Sequence, residues 1–498
     1  MKTKKIFNFL LLLGFLSGCD YLDIVPDNLP TLEMAFNNKS SAERFLFTCY
    51  SFVPEHGKIG TDPGMDVGDE VWYYSDNSAD YSNKTTFWIA KGMQNSNEPL
   101  VDYWNGTQWG KAMFVGIRDC NVFIENIEKV PDLSAYDKET WKAEAKVLKA
   151  FYHFWMMRMY GPIPIIKENI PVSAGEDEVR VVRDKIDDIV TYIVSLIDES
   201  VEYLPLNIQN EAAEMGRITR PAAKAIKAKI LAFAASPFFN GNLDYANFKN
   251  AEGEPFFNQV YDNEKWTKAA DACLEAIQCA EEAGHGLYEF VNMSSTQLSD
   301  ETILSLSNRC KVTERWNKEL VWGCGQSGIR DLQVLCQPWL ESNYSSDDRY
   351  HNARNGTFAP TLAVAETFYT KNGVPMDEDK NYDYSKRYTT QVATEADKYY
   401  IQPGYTTAKL HFDREPRFYA TLGFDGSSWY GIGKMDDNDM WYLQAKAKQA
   451  SGKRGNTLYS ITGYFAKKLV RYQNAMVPAS IQISFPDNTV GRFISVVC

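Results

Sequence analysis

Residues 139–160 read ETWKAEAKVLKAFYHFWMMRMY. Trp141, Ala145, Leu148, Tyr152, Trp155 and Met159 recur at steps of three and four, which puts them on one face of a helix. Gly161-Pro162 follows and stops it. The same period holds outward from this segment, from about residue 30 to 285. Upstream, Ser40 or Ser41 would cap a helix running to about Val53, and another covers roughly Trp109 to Val130, stopped by Pro131. Downstream, Ile186, Ile189, Ile193, Ile197 and Val201 share one face of a fourth helix that ends before Pro205. A fifth opens on a Thr219 cap with Pro221 in its first turn, the usual place for a helix-entry proline. Its alanines at 222, 223, 225, 228, 232, 234 and 235 would let another helix approach closely. A sixth carries Trp266, Ala270, Cys273, Ile277 and Ala280 as its apolar face, with Gly284 as C-cap. Helices paired through short turns predict a mainly α fold, a tetratricopeptide-like scaffold of helical pairs. No strict repeat signature recurs at a fixed period.

After residue 285 the character changes. Short β-like runs at 303–306, 320–322 and 464–470 sit among stretches rich in Asn, Asp, Gly, Ser and Tyr, the longest at 341–357 and 376–405. Loops of that length in a compact protein are functional or disordered, and their tyrosine content argues against disorder. The expected division is a leader over 1–18, a helical region over 19–285, and an irregular, loop-rich region with a few short β-strands over 286–498.

The leader reading rests on Lys2, Lys4 and Lys5, then an apolar run from Ile6 to Leu16 that is too short for the ~20 residues of a membrane span. Leu16-Ser17-Gly18-Cys19 resembles a bacterial lipobox, in which the Cys19 thiol carries acyl chains and the chain is cut before it. Two or three chains on one residue anchor stably where a single chain does not. An ordinary signal peptide with an incidental cysteine is the alternative. The other eight cysteines are scattered without a C-x-x-C, so buried free thiols are expected rather than a disulfide framework.

The 498 residues carry a net charge of −13, which argues against a nucleic-acid partner. Gly323, Gly325 and Gly328 match G-x-G-x-x-G after a predicted strand, but no βαβ unit accompanies them, so a strand-ending turn is expected and no cofactor. The five histidines are far apart and no pair has ligand spacing; His153 reads as a packed helix residue, and no metal site is expected. Asp377, Asp379, Asn381 and Asp383 alternate as in a calcium loop, yet Tyr382 stands where glycine is needed and Tyr388 where a bidentate glutamate is needed. A solvated acidic loop is the plainer reading.

The aromatic content is more informative, with 12 Trp, 29 Tyr and 27 Phe. Rings at helical spacing, such as Trp141, Tyr152, Trp155 and Trp266, are expected in the core. Others fall in loops: Asp69-Glu70-Val71-Trp72-Tyr73-Tyr74, then Trp88, Trp316, Trp339 and Tyr344. Sugar rings present C–H faces that stack on Trp and Tyr, while carboxylates and amides bond their hydroxyls. Asp69, Glu70, Trp72, Tyr73, Tyr74, Trp88, Trp316, Trp339 and Tyr344 are therefore the candidate ligand-binding residues. The plain alternative is that these rings plug the loops onto the scaffold.

Several ordered segments together resemble the SusD/RagB family of outer-membrane nutrient-uptake lipoproteins of Bacteroidetes. They are Cys19-Asp20-Tyr21-Leu22-Asp23-Ile24-Val25-Pro26-Asp27, Ile117-Arg118-Asp119-Cys120-Asn121 with Ile124-Glu125, Ala143 to Ala150, and Arg158-Met159-Tyr160-Gly161-Pro162-Ile163-Pro164. Gly216-Arg217-Ile218-Thr219-Arg220-Pro221, Pro360-Thr361 with Phe368 and Gly373, and Arg414-Glu415-Pro416-Arg417-Phe418 continue the series. The resemblance implies a tetratricopeptide-like scaffold and a lid role over a SusC-like TonB-dependent transporter. It implies capture of an oligosaccharide, or in some members a peptide, at the cell exterior, without catalysis. A surface glycoside hydrolase and a structural or adhesion lipoprotein are the competing readings. The family's binding residues vary, so none carries over by motif.

The ending departs from the family. After Phe485-Pro486 the chain reads DNTVGRFISVVC, where the family continues much like IIRLADLYLLYAEA. A back-translation of residues 487–498, read one nucleotide out of register, gives IIRLADLYLLYA. A one-base frameshift near Pro486, with loss of the last scaffold helices, is the expectation, and the gene's nucleotide sequence decides it.

Overall fold

The computed structural model describes residues 32–474, apart from 56, 61, 74–84, 294, 324–328, 341–352, 354 and 456–457. Cys19, Tyr74, Tyr344 and the divergent ending lie outside the described residues. Among the described residues of the first half, six long helices follow one another, with shorter helical turns between them: α1 (Lys39–Tyr50), α2 (Met113–Asn126), α3 (Ala135–Tyr160), α4 (Ile186–Val201), α5 (Arg220–Ala235) and α6 (Glu264–Glu282). From α2 onward each packs on the next, and α1 sits against α2 and α3. Among the described residues no helix is long and apolar enough to cross a membrane.

Local chemistry sets the helix ends. Asn38, not Ser40 or Ser41, caps α1: its side chain takes the Ser41 N–H at 2.9 Å. Ser134 caps α3 by accepting from Asp137 N at 3.1 Å, and Gly161 ends it at φ +69°. Helix α3 is buried without a break from Val147 to Met157, so it is the central rod and its neighbours wrap it. His153 is fully buried there and packs as expected. Its Nδ1 lies 2.8 Å from Lys149 O, its Nε2 accepts from Ile166 N at 3.2 Å, and burial pulls its pKa down to about 4.

Helix α6 corrects one expectation. Its buried face is Ala269, Ala272, Ala276 and Cys279, while Trp266 and Ile277 are 43% and 46% exposed. The small-residue faces of α5 and α6 meet through Ala228, Ala272 and Ala276. That contact favours the face whose small side chains allow close approach, and the larger rings turn outward.

The second half also differs from expectation. Residues 303–306 lie in a helix, α7 (Asp300–Thr313), not a strand. Ser299 caps it, accepting from Thr302 N at 3.3 Å, and Asp300 and Glu301 fill its acidic first turn. Residues 320–322 form no strand either, and 464–470 contribute only Phe465–Ala466. Further helices in this half include α8 (Ile329–Cys336) and α9 (Pro416–Thr421). The strands form four two-stranded antiparallel ribbons: β1 (Val71–Tyr73) with β2 (Phe358–Pro360), β3 (Thr390–Val392) with β4 (Thr406–Ala408), β5 (Leu422–Gly423) with β8 (Phe465–Ala466), and β6 (Ser428–Trp429) with β7 (Trp441–Tyr442). The β1–β2 pair stitches a first-half loop to the second half.

Ser299 has a second task. Its amide and hydroxyl both donate to the buried Asp437 carboxylate, at 2.8 and 2.7 Å. Ser299→Ala therefore removes a helix cap and one of Asp437's donors together. We expect a loss of about 1–2 kcal/mol in urea unfolding; an unchanged midpoint would show that the cap is replaced by water.

Cys49, Cys120, Cys279, Cys310 and Cys336 are buried free thiols, and Cys273 is half-buried. The suspected calcium loop is a hydrogen-bonded turn. Asp379 accepts from Thr370 Oγ1 at 2.5 Å, Asn372 Nδ2 at 3.0 Å and Asn381 N at 2.9 Å. No group of three or more metal-ligating side chains gathers among the described residues.

Candidate functional site

The helical core and the irregular half meet at a seam, and a cavity of about 560 Å³ opens there. Phe47 and Tyr50 at the end of α1, the following loop to Glu55, Lys111 before α2, the segment 213–217 before α5, and Trp322-Gly323 line it. Trp322 comes from the second half but is 3% exposed inside the helical core, edge-on to Phe151 with centroids 5.5 Å apart. Its indole N–H donates to Gly216 O at 3.0 Å, which ties the two walls together.

Below the cavity lies a buried ionic knot. Arg217 grips Glu144 through Nε at 3.1 Å and Nη2 at 2.7 Å, and its Nη1 reaches Glu214 at 3.3 Å and Glu43 at 3.6 Å. Tyr50 Oη donates to Glu144 at 2.6 Å and accepts from Ile218 N at 2.8 Å. Burial pushes Glu144 up from the usual carboxylate range, and the Arg217 charge opposes that rise. Burial and the adjacent Glu144 charge hold the Tyr50 hydroxyl well above its ordinary pKa, so it stays a donor. The Arg217 guanidinium also lies over Trp141, 5.2 Å from the ring centroid. On the rim, Lys111 Nζ donates to Ser51 O and Val53 O at 2.7 and 2.8 Å and stands 3.9 Å from Glu55. Phe47 leaves its ring 43% exposed at the mouth.

Trp316 stands beside this cavity. Its backbone is left-handed, φ +52°, an outlier for a bulky residue. Its ring lies so close over Gly323 that a Cβ there would come within 2.4 Å of it, so a larger residue would displace the ring. Gly216, at φ +98°, forms the adjoining wall.

The other candidate residues lie elsewhere. Asp69 and Glu70 are exposed, and their backbone carbonyls hold Thr361 through Oγ1 at 2.7 Å and N at 3.0 Å. Trp72 is half-buried, edge-on to Phe87 at 4.8 Å. Trp88, next in the chain to Phe87, is 38% exposed with Lys91 Nζ 5.1 Å above its ring. Trp72 and Trp88 thus both neighbour Phe87, whose ring Lys91 Nζ also approaches at 4.6 Å, while Asp69 and Glu70 face solvent just before β1. Tyr73 does not join them as a surface ring. Strand alternation turns it inward with Val71, and it sits 3% exposed between Phe87 and Phe358, at 5.1 and 5.4 Å. Trp339 is half-buried, its N–H groups directed at Asn355 Oδ1 (2.9 Å) and Ala353 O (3.3 Å). It acts as a loop plug beside core residue Leu340.

Sequence reading named Trp316 but missed Phe47, Tyr50, Glu55, Lys111 and Trp322. Only the Gly216-Arg217-Ile218-Thr219 block pointed here, and it read as a helix entry.

Comparison with known proteins agrees with this architecture. Residues 20–231 match the SusD-like family described as "Starch-binding associating with outer membrane". Residues 330–484 match the SusD family proper. Among solved structures, a protein named BT4246 is 26% identical, with TM-score 0.74 over 92% of this chain and 76% of its own. A SusD-like protein from Bacteroides fragilis (BF3747) is 17% identical, with TM-score 0.60 over 89% of this chain and 71% of its own, and shares the fold. No curated protein matches the chain. Two family matches in chain order, on a helical-pair scaffold with an irregular second half, establish that this chain belongs to the SusD family.

Proposed function

We propose that the protein is a carbohydrate-binding lipoprotein of the outer membrane, anchored through Cys19 and facing the cell exterior. It captures an oligosaccharide and hands it to a SusC-like TonB-dependent transporter. The observation that carries the reading is the match of residues 20–231 to a family described as starch-binding and associated with the outer membrane. The seam cavity suits that role. It combines an exposed ring face, Phe47, with a carboxylate and an ammonium that bond hydroxyls, on a wall held open by Gly216 and Gly323. Trp72 and Trp88 beside Phe87, with the exposed Asp69 and Glu70 just before them in the chain, are a second candidate contact region.

Glycoside hydrolysis calls for two carboxylic groups across the scissile bond. The described cavity lining offers Glu55, which is 2.5 Å from Lys58 and 3.9 Å from Lys111. That composition favours binding without turnover.

The test is a calorimetric titration with maltoheptaose, laminariheptaose and mannohexaose, with products followed by chromatography. Binding without product is expected, and Phe47→Ala should weaken it about tenfold, in line with the loss of one stacked ring. Product formation would favour the hydrolase, and no binding of any glycan would favour the adhesion reading.

A further inference from the structure

Trp109 is 72% exposed, the most exposed of the twelve tryptophans, and neither packing nor the cavity accounts for it. The sequence places it at the start of a helix; the structure places it in a loop over residues 101–111, before α2 begins at Met113. Val101, Gln108 and Trp109 all take positive φ, at +49°, +48° and +71°. Left-handed backbone is costly at β-branched and bulky residues, and it persists only where the surroundings fix it.

The surroundings here do fix it. Asp102 is 2% exposed and gathers four donors: Trp104 N at 2.9 Å, Asn105 N at 3.1 Å, and Asn105 Nδ2 and Thr107 Oγ1, each at 3.0 Å. Backbone bonds close the loop from Val101 N to Gln108 O at 3.0 Å and from Asp102 N to Thr107 O at 3.1 Å. Gly110 passes so near the Asp102 backbone that a Cβ would come within 2.1 Å of Asp102 O. The loop is a tightly bonded pedestal, and part of its strain falls on the residue that carries the exposed ring.

The exposed chain leading to the ring is polar. Asn95, Asn97, Glu98, Asn105, Thr107 and Gln108 are exposed, and Gln108 Nε2 donates to Glu98 at 3.0 Å. Trp109 is the one large apolar side chain exposed between residues 94 and 111. A protein partner's anchor sits within an apolar surround that excludes water. An isolated indole face set among amides and a carboxylate matches instead a pyranose ring, with its C–H face on the indole and its hydroxyls on the rim. Two residues on, Lys111 lines the seam cavity.

We propose that Trp109 is an outer carbohydrate subsite, a preset stacking platform that engages the units of an oligosaccharide extending beyond the seam cavity. This rests on the carbohydrate-binding reading above. The test titrates wild type, Trp109→Ala and Trp109→Phe with maltoheptaose and maltose, laminariheptaose and laminaribiose, and mannohexaose and mannobiose. For whichever series binds, Trp109→Ala should weaken the long oligomer at least tenfold and the disaccharide less than twofold. Trp109→Phe should retain most of the long-chain affinity. Melting temperatures should stay together, because the ring is outside the core. Equal affinity of wild type and Trp109→Ala for the long oligomer overturns the subsite while leaving the cavity reading intact, and so does an equal loss for both lengths. Binding of no series by wild type overturns both.

Discussion

Arg217→Met should lower the stability of the protein by about 3–5 kcal/mol, because it strands a buried charge. Glu144 is 2% exposed and takes three of its close donor contacts from Arg217. Without the guanidinium, Tyr50 Oη at 2.6 Å is the side-chain donor left to that carboxylate among the described residues. The group must then stay charged in a dry site or take up a proton. The variant should accordingly lose less stability at acid pH, where protonating Glu144 becomes cheap, than at pH 8. Arg217→Met with Glu144→Gln should recover part of the loss, since a neutral amide can still accept from Tyr50. Urea unfolding at pH 5 and pH 8 separates these cases. Equal losses at both pH values, with no recovery in the double variant, would mean that Arg217 acts through packing on Trp141 and not through charge.

The second large effect is expected at Lys467. This lysine is 4% exposed; its Nζ donates to Tyr419 O at 2.8 Å and Ser428 O at 2.9 Å, and burial, with Arg309 nearby, pulls its pKa down to about 7. In the unfolded chain the group titrates near the ordinary lysine value. Between about pH 7 and 10 the unfolded state therefore holds a proton that the folded state has released. Stability must rise with pH across that window and reach its lower plateau below pH 7. From pH 7 to pH 9 the contribution is about 2 kcal/mol, taking 1.36 kcal/mol per pH unit where the two states differ by a full proton. Lys467→Met should flatten the rise by about that amount, and the difference between variant and wild type cancels the parallel contributions of Lys149 and Lys468, both pulled down to about 8 by burial. A variant whose stability climbs as steeply as wild type would show that Lys467 keeps its proton in the fold.

Both effects lie where the chain meets itself across long separations, and these were the least legible parts of the sequence. Arg217 and Glu144 are 73 residues apart, and Lys467 and Tyr419 are 48 apart. No periodicity encodes such pairs. Tyr73 was misplaced for a related reason. A three-residue strand alternates too briefly to show which face is buried, and only its pairing with Phe358 from β2 decided that. In α6 the apolar period was real, but two apolar stripes lay side by side. Close approach to the alanines of α5 chose the smaller one.

What the sequence by itself determined is local. It determined the helical rod around Trp155, the isoleucine face of α4, the Thr219-Arg220-Pro221 entry to α5 and the Gly284 stop after α6, because each depends on side chains within a turn or two of one another. The order of its motif blocks was enough to place it in the SusD family. Only the tertiary structure decided where rings face solvent and where polar groups converge. The seam cavity exists because Trp322 leaves the second half to enter the helical core, and Trp109 is exposed because Asp102 locks its loop open before α2 can begin. Burial is a property of the assembled surface, and no local pattern carries it.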